Sequence, residues 1–514
     1  MAPPILSADE VQYARELREW RERRGLSKKA LAAAMAYDPS RVSHIEGGRQ
    51  APTEEFTRQA EAALQTGGAL WARWEAIAAS RFGLTSRPVE RDLRTSPFIA
   101  WLADHSAASF GSLYAAVNAA VARLEAEPPS LRYGREHNRR HVSRAQLAEA
   151  IARYHGEPPA GSMLYRAKVG DRRLTTSILT RPEWLDTAVP LGGDAESARF
   201  VPPGPDKRPE LTSAGVAAAV QRLAGVEVNG TVMVNNPLYQ LLDVDVAPGE
   251  LSATFTTVEF ADHALTTELI EGELIAAIGQ SRDELPLRDA YLPTIGATFE
   301  LGQRACVGGV VSLLAIARRR GDVRDYVLFT QERSSTVLNL AGKLATIPKG
   351  FHQPTGEPTH EVRPSATVRR EFEEELLGRQ ELEQIAPLPH SHVDLLHDQN
   401  LTEPMVWLLD RPDSFRVECT GFGFNLVTGN YEFAGLVVID DEDWWERFGH
   451  LVESNWEAER VNRHSTLDTA GLEALASDPR WGNESLFCLL QGLRRLREVG
   501  QPSRIAVPTI EAGT

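Results

Sequence analysis

The chain has little cysteine and no long apolar run. Only three of its 514 residues are cysteine, and none of them forms the CxxC pair of a zinc or redox site. No stretch of 18 or more apolar residues occurs, so no segment is a candidate membrane-spanning helix. The phosphate-binding loop GxxxxGK(S/T) and the nucleophile motif GxSxG are also missing. The sequence therefore does not support a P-loop ATPase or a serine hydrolase with the GxSxG motif.

The first ten residues, MAPPILSADE, show no positively charged leader followed by an apolar stretch. We therefore expect no signal peptide and a location in the reducing cytoplasm. In that compartment we expect the cysteines to be small, buried apolar residues. They are Cys306, Cys419 and Cys488.

Positive charge is scarce, and the formal net charge is −16. A chain this acidic does not bind nucleic acid everywhere through bulk positive charge. The negative charge is unevenly distributed. Residues 1–80 contain 11 Lys or Arg and 11 Asp or Glu and are neutral overall, so the other 434 residues carry the entire net charge of −16. The composition excludes a non-specific nucleic-acid coat and leaves room for one local DNA-reading module.

Changes in local pattern divide the sequence into five segments of a multidomain α plus α/β protein. Helical spacing fills residues 1–80, and a charged linker with one proline spans 81–94. Helical patterns followed by mixed ones form a middle α/β region at 95–300, whose role the sequence does not indicate. A second α/β domain occupies 301–500, and residues 501–514 form a tail.

Three local patterns predict particular elements. Prolines, glycines and charges at 192–209 predict a loop or tether. Asn229-Gly230, set between alternating apolar residues, predicts a two-residue β-hairpin. The apolar residues at 404–409 predict a strand of the last domain.

The first 80 residues have the spacing of short helices joined by tight turns. Gly25 is suited to end the first helix, and Ser27 to cap a second helix at 28–35. A turn then leads to a third helix that ends after Glu46, and a fourth starts at Pro52. Two short helices joined by a tight turn are what a helix-turn-helix needs to place its second helix in a major groove.

Residues 17–52 follow a known spacing, carried by Leu17, Arg21, Gly25-Leu26-Ser27, Leu31-Ala32, Val42-Ser43, Ile45-Glu46, Gly48, Arg49 and Pro52. This pattern resembles the lambda repressor/Cro-like (XRE) helix-turn-helix family. Two departures are Lys28 in place of the usual Gln, and Tyr37-Asp38-Pro39 in place of the usual Gly-Val-Ser turn. The resemblance implies a homodimer on double-stranded DNA, with Ser40, Arg41, Ser43 and His44 at base edges and Lys28, Lys29 and Arg49 near phosphates. The alternative is a small helical bundle that serves as an adaptor for protein partners.

The second informative segment is a predicted helix at 364–377. Glu371, Glu374 and Glu375 stand at i, i+3 and i+4, so they project from one helix face. Three like charges repel one another unless they are solvated or neutralised, and Mg²⁺ prefers carboxylate oxygens. The alternative is an acidic face exposed to solvent.

The run from Arg370 to Glu375 matches the second half of the Nudix box and resembles that hydrolase family. The resemblance implies an α/β/α sandwich at 301–500, with Mg²⁺ on Glu371, Glu374 and Glu375 and with Arg370 orienting them. Val362 stands where the box has its first glutamate, and Glu361 is one position away. We therefore expect this domain to bind a nucleotide or nucleotide-sugar ligand rather than to hydrolyse it.

Two basic or histidine-containing stretches are weaker candidates. His390, His392 and His397 have no established metal-site geometry and are expected to be loop residues. The arginines of residues 131–146 are expected to cover a solvated helix face or to form a patch for an acidic partner, with a second nucleic-acid contact as the alternative.

Together these patterns predict a ligand-responsive transcriptional regulator that binds its operator as a homodimer. An active Mg²⁺-dependent Nudix pyrophosphatase with an attached DNA-binding module is the enzyme alternative.

Overall fold

The computed structural model describes residues 8–35, 37, 39–47, 52, 54–81, 93–128, 142–204, 211–229, 231, 233–333, 343–377, 401–452 and 458–513. The chain divides into two compact units. One consists of residues 1–99, 111–141 and 223–230, and the other of residues 100–110, 142–222 and 231–514.

The first unit begins with five helices. They are α1 (Ala8–Arg23), α2 (Lys28–Ala34), α3 (Pro39–Glu46), α4 (Glu54–Leu64) and α5 (Ala69–Arg81). Gly25 follows α1 with φ of +67°, which favours glycine, and the Ser27 Oγ accepts from the Ala30 N–H at 3.0 Å as the cap of α2. These two predicted helix boundaries are confirmed. The apolar faces of the helices meet in one core, which includes Tyr13, Leu17, Leu31, Val42, Ile45, Phe56, Leu64 and Trp71.

The remaining helices follow in chain order. They are α6 (Pro97–Asp104), α7 (Phe110–Glu125), α8 (Arg144–His155), α9 (Ser213–Asn229), α10 (Leu269–Gln280), α11 (Pro286–Tyr291), α12 (Pro364–Leu376), α13 (Glu403–Leu409), α14 (Glu442–Phe448), α15 (Thr469–Ala476) and α16 (Asn483–Val499). Among the helices that the structure describes, none has the length and hydropathy needed to span a lipid bilayer.

The strands are β1 (Met163–Val169), β2 (Arg172–Thr180), β3 (Leu185–Pro190), β4 (Glu196–Phe200), β5 (Pro237–Ala247), β6 (Glu250–Glu259), β7 (Gly308–Arg320), β8 (Val323–Arg333), β9 (Leu344–Thr346), β10 (Lys349–Phe351), β11 (Phe415–Asn425), β12 (Tyr431–Ile439), β13 (Ala458–Ser465) and β14 (Ile510–Ala512). They form two sheets.

The larger sheet has eleven strands in the order β13-β8-β7-β12-β11-β2-β1-β14, with β9, β10 and β3 paired alongside β8, β7 and β11. β7 and β12 are parallel, and the other pairs are antiparallel. Strands from residues 163–190 and 510–512 therefore belong to the same sheet as those from 308–465. The smaller sheet has the order β4-β6-β5.

Strand β7 shows how the larger sheet is covered on both faces. Because successive side chains of a strand point to opposite faces, its apolar run divides into two sets. Val310, Leu314 and Ile316 pack in the cluster that contains Val368, Phe372 and Leu376 of α12. Val311, Leu313 and Ala315 pack in the cluster that contains Leu486, Leu489 and Leu493 of α16. A mixed α/β region with a large sheet thus follows the helical N-terminal region.

Three local predictions are wrong. Asn229 does not start a hairpin turn but is the last residue of α9, because a helix once started adds residues at little cost. Residues 404–409 form a helix, and Pro404 stands at its first turn, where its missing N–H costs nothing. Within 192–209, Glu196–Phe200 is a strand that pairs in parallel with β6.

Candidate functional sites

Helix α3 presents one side to the core and the other away from it. Val42 and Ile45 are buried, His44 is exposed, and Arg41 and Ser43 are half-buried. Among the described residues, the Arg41 Nε has no hydrogen-bond partner. Ser43 and His44 thus lie on the side of α3 that the core leaves open, whereas Arg41 lies at the edge of the core with its Nε buried. Ser40 lies in α3, but its side chain and Arg49 fall outside the described residues.

The end of α3 is fixed to α1 by a buried ion pair. The Arg21 Nε lies 2.5 Å from Glu46 Oε1, and its Nη2 lies 3.1 Å from Oε2. The third donor, Nη1, reaches the Leu26 carbonyl oxygen at 2.8 Å. One guanidinium therefore holds α1, the turn before α2 and the end of α3 together.

The two predicted phosphate-contacting lysines of α2 have different environments. The Lys28 ammonium lies 3.3 Å from Glu46 Oε2 and so belongs to the same ion-pair network as Arg21. Lys29 is exposed. Lys29 is thus the lysine of α2 whose ammonium stands outside this network.

Glu61 is a positioning residue that the sequence analysis missed. Its buried carboxylate accepts from the Gly68 N–H at 3.1 Å and from the Trp71 N–H at 2.8 Å. Because the first N–H groups of a helix have no partner within it, this carboxylate caps α5. The glycine pair at 67–68 ahead of the helix is the signal that could have indicated such a cap.

The carboxylate helix α12 does not present a solvated acidic face. Glu374 and Glu375 are only 9% and 4% exposed, and the Glu371 side chain is also largely buried. Glu375 Oε1 accepts from Gln331 Nε2 at 3.1 Å, and its Oε2 accepts from the Lys349 N–H at 2.8 Å. Burying a carboxylate costs free energy unless hydrogen-bond partners compensate for the lost water. The partners of Glu375 therefore allow α12 to bury its acidic side chains.

Arg370 ties α12 to the loop that follows β10. Its Nη1 donates to the Gln353 carbonyl and its Nη2 to the Phe351 carbonyl, both at 3.0 Å. Nη2 also lies 2.9 Å from Glu371 Oε1. A Cβ at Gly350 would stand 2.0 Å from that carboxyl group, so a larger residue there would have to displace the Glu371 side chain.

The first glutamate position of the motif is filled differently here. Val362 is buried in the core. Glu361 accepts from the Thr355 N–H at 2.6 Å and from the Gly356 N–H at 3.3 Å. It therefore closes the loop between β10 and α12.

Two further carboxylates support α12 and were missed by sequence reasoning. The Glu196 Oε1 accepts from the Ser365 N–H at 2.8 Å, in the first turn of α12. The Glu373 Oε1 accepts from the Thr402 N–H at 2.9 Å. No local pattern indicates either contact, because the partners are distant in sequence.

A metal site is not preformed at α12. Within the described ranges, no three His, Cys, Asp or Glu side chains are grouped so that they could hold a metal ion. Glu375 is instead committed to Gln331 and to the backbone of Lys349. The predicted Mg²⁺ ligation by Glu371, Glu374 and Glu375 stays a prediction, and we derive no step through a metal.

The other candidate residues fall in different places. The cysteines are free and buried, as expected for small apolar residues. His390, His392 and His397 lie outside the described residues, as does most of 131–146. Arg144 of that stretch is not on a solvated face, because it is buried and its Nη1 donates to the Thr175 carbonyl. Burial lowers the pKa of Arg144 to about 10.

The sequence model of a helix-turn-helix domain matches residues 12–74. This range runs from α1 into α5 and contains the α2–α3 pair described above. No curated protein matches the chain. The N-terminal region is therefore a helix-turn-helix region, which indicates a DNA-binding regulator.

Proposed function

We propose that this protein is a sequence-specific transcriptional regulator of the XRE type. The observation that carries the proposal is the orientation of α3, which buries Val42 and Ile45 and leaves Ser43 and His44 on the opposite side. Arg41 is half-buried at the edge between these two sides. In a helix-turn-helix the second helix enters the major groove and meets base edges with such residues. Ser40 is assigned to the same set by its position in the motif.

Affinity would come from phosphate contacts by Lys28, Lys29 and Arg49. The first 80 residues are neutral overall, so one module makes few favourable contacts with DNA. We therefore propose that the protein binds as a homodimer, with two copies of α3 reading paired half-sites.

Footprinting on the DNA upstream of the protein's own coding sequence tests this proposal. Removing Arg41 and His44 together (R41A/H44A) should weaken protection by about 30-fold or more, because each good base contact is worth about 1–3 kcal/mol. Arg15→Ala is the matched control, since it removes an exposed arginine of α1 that is paired with Glu19. Equal protection by wild type and the double variant would contradict the proposal.

We further propose that the domain around α12 binds a nucleotide or nucleotide-sugar and thereby changes DNA affinity. Support comes from the buried carboxylates of α12 and from the loop after β10 that Arg370 binds. Burying these charged groups costs free energy, which a helix that only covers the surface would not require. Such regulation requires different ligand affinities in the free and DNA-bound states.

A thermal-shift screen over nucleotides and nucleotide-sugars tests ligand binding, because a ligand of the native state raises its apparent stability. The shift should be lost in Glu374→Gln and retained in Glu403→Gln, an exposed glutamate of α13. If wild type instead releases phosphate or mononucleotide with Mg²⁺ and Glu374→Gln does not, the domain is an enzyme and the pure sensor is excluded.

A further inference from the structure

A buried acidic residue lies on the face of the large sheet opposite α12. Glu432 of β12 is 6% exposed and shares its face with Ala434 and Leu436, which pack in the α16 cluster. Its neighbours in the sheet are Gly309 on β7 and Gly423 on β11. Because both neighbours are glycines, no side chain flanks Glu432 within the sheet.

The space beside Gly309 is filled by β10. A Cβ at Gly309 would stand 2.0 Å from the Gly350 carbonyl oxygen, so this glycine allows the close approach of β10, the antiparallel neighbour of β7. In this pairing Phe351 lies opposite Gly309 and Lys349 opposite Val311, and the Lys349 ammonium lies 2.6 Å from Glu484 Oε1 in the first turn of α16. Glu432, whose ladder partner is Gly309, therefore shares a sheet face with Lys349 and interacts electrostatically with both members of the Lys349–Glu484 ion pair.

The same turn of α16 is tied to two other strands. Asn425 Nδ2 of β11 donates to Glu484 Oε2 at 3.3 Å, and Asn425 Oδ1 accepts from Ser177 Oγ at 2.7 Å. The Ser177 N–H donates to Asn483 Oδ1 at 2.9 Å. One polar network thus joins β2, β10 and β11 to the start of α16, and Lys349 contributes an ammonium to it.

The two carboxyl groups have different means of stabilising a negative charge. Glu484 has the Lys349 ammonium, the Asn425 amide and the N-terminal turn of a 17-residue helix. For Glu432, burial raises the pKa well above its usual range, the Glu484 charge raises it further, and Lys349 opposes both effects. The proton therefore belongs on Glu432 and the negative charge on Glu484.

The other groups near the cluster do not titrate in its place. Cys488 of α16 stays a thiol, because burial raises its pKa to about 12. Glu375 binds the Lys349 backbone N–H through α12, on the other face of the sheet. The adjoining positions of β2, β7 and β11 are Ile178, Gly309 and Gly423, which carry no charge.

We propose that Glu432, Lys349 and Glu484 form a proton-dependent latch on the first turn of α16. With a proton on Glu432, the ammonium of Lys349 pairs with Glu484 alone and the network is complete. When Glu432 ionises, two buried carboxylates compete for one ammonium, and the anchoring of α16 to β10 and β11 weakens. Rising pH opens the latch.

The sign follows from linkage. The pKa of Glu432 is higher in the folded chain than its ordinary value of 4.5, so the folded state binds the proton more tightly than the unfolded state. This stabilisation is complete below about pH 4.5 and is lost as pH rises through the folded pKa. Over that interval the folding equilibrium constant falls by up to about tenfold per pH unit.

Thermal unfolding of the full chain between pH 5 and pH 9 tests the latch. Glu432→Gln keeps the shape of the protonated side chain and cannot ionise. The stability of Glu432→Gln relative to wild type should be lowest at pH 5 and should increase steadily as pH rises. Parallel curves for the two proteins across this range would overturn the proposal.

Glu418→Gln is the matched control on the neighbouring strand β11. Burial acts to raise the pKa of Glu418, but hydrogen bonds from Arg495 and Arg416 outweigh it and the pKa is lowered. Glu418 is thus ionised throughout the range, and its variant should differ from wild type by a constant amount. A pH-dependent difference in Glu418→Gln like that expected for Glu432→Gln would also contradict the latch.

Infrared difference spectroscopy provides a readout that does not depend on the stability of the variants. Wild type at neutral pH should show the carbonyl band of a buried protonated carboxyl group, which disappears as pH rises. The band should be absent from Glu432→Gln and present in Glu418→Gln. Absence of the band from wild type at pH 6 would overturn the proposal even if Glu432→Gln did not fold.

Discussion

Glu196 and Ser365 stand 169 residues apart in the chain and are joined by a hydrogen bond of 2.8 Å from the Ser365 N–H to Glu196 Oε1. Glu196 belongs to β4 of the smaller sheet and Ser365 to the first turn of α12. The other carboxylate oxygen accepts from the Gly192 N–H at 2.7 Å. A buried carboxylate of the middle region thus caps the helix that carries the candidate ligand site, where the helix dipole favours a negative charge.

Glu196→Ala should lower the free energy of unfolding by about 1–3 kcal/mol, because it removes the carboxylate that accepts from the Ser365 and Gly192 N–H groups. Amide hydrogen exchange should become faster at the start of α12 and around Gly192. Glu196→Gln keeps an acceptor for one of these groups and should lose less. If exchange in α12 is the same in Glu196→Ala and wild type, Glu196 does not cap this helix.

Gly350→Ala should displace either β10 or the Glu371 carboxylate. A Cβ at this position would stand 2.0 Å from the Glu371 carboxyl group, well inside the closest approach of real side chains. Such overpacking costs about 1–3 kcal/mol. Denaturant unfolding measures the loss, and Gly302→Ala is the control, because a Cβ there meets nothing within 4 Å. An equally small loss of stability in both variants would show that the Glu371 carboxyl group does not pack closely against Gly350.

Arg21→Ala should unfold the helix-turn-helix region before the rest of the chain. It would leave the buried Glu46 carboxylate without its guanidinium, a change that typically costs about 3–5 kcal/mol. Hydrogen exchange resolved over α1 to α5 measures the effect. Arg18→Ala removes an exposed pair with Glu22 and should leave protection in this region unchanged. Similar losses of protection in the two variants would contradict the role of Arg21.

The sequence predicted best where the signal is local. Gly25 and Ser27 act through their own backbone and side chain, so the start of the helix-turn-helix could be predicted from neighbouring residues. The strand predicted at 404–409 failed because a short apolar run is compatible with either element, and Pro404 favoured the helix.

Long-range partners could not be predicted in this way. The buried position of Glu375 depends on its bonds to Gln331 of β8 and Lys349 of β10, and no spacing within the helix indicates them. The cap by Glu196 and the electrostatic interaction of Glu432 with Lys349 likewise join residues far apart in the chain. The spacing of apolar residues indicates which face of a helix or strand is buried. It does not indicate which other element packs against that face, and these contacts depend on that.

Replacing Lys29 or Arg41 with alanine should weaken DNA binding in two distinguishable ways. Lys29 is an exposed cation of α2, so its assigned contact is with phosphate and carries no sequence information. Lys29→Ala should weaken all sequences alike and reduce the slope of log affinity against log salt by about 0.9. Arg41→Ala removes a side chain assigned to a base edge, so it should also reduce discrimination between the preferred site and its single-base variants. Fluorescence anisotropy over a salt series, on the preferred site and on one mismatched site, measures both effects. If Lys29→Ala changes sequence preference while Arg41→Ala changes only the salt slope, the assigned roles of the two residues must be exchanged.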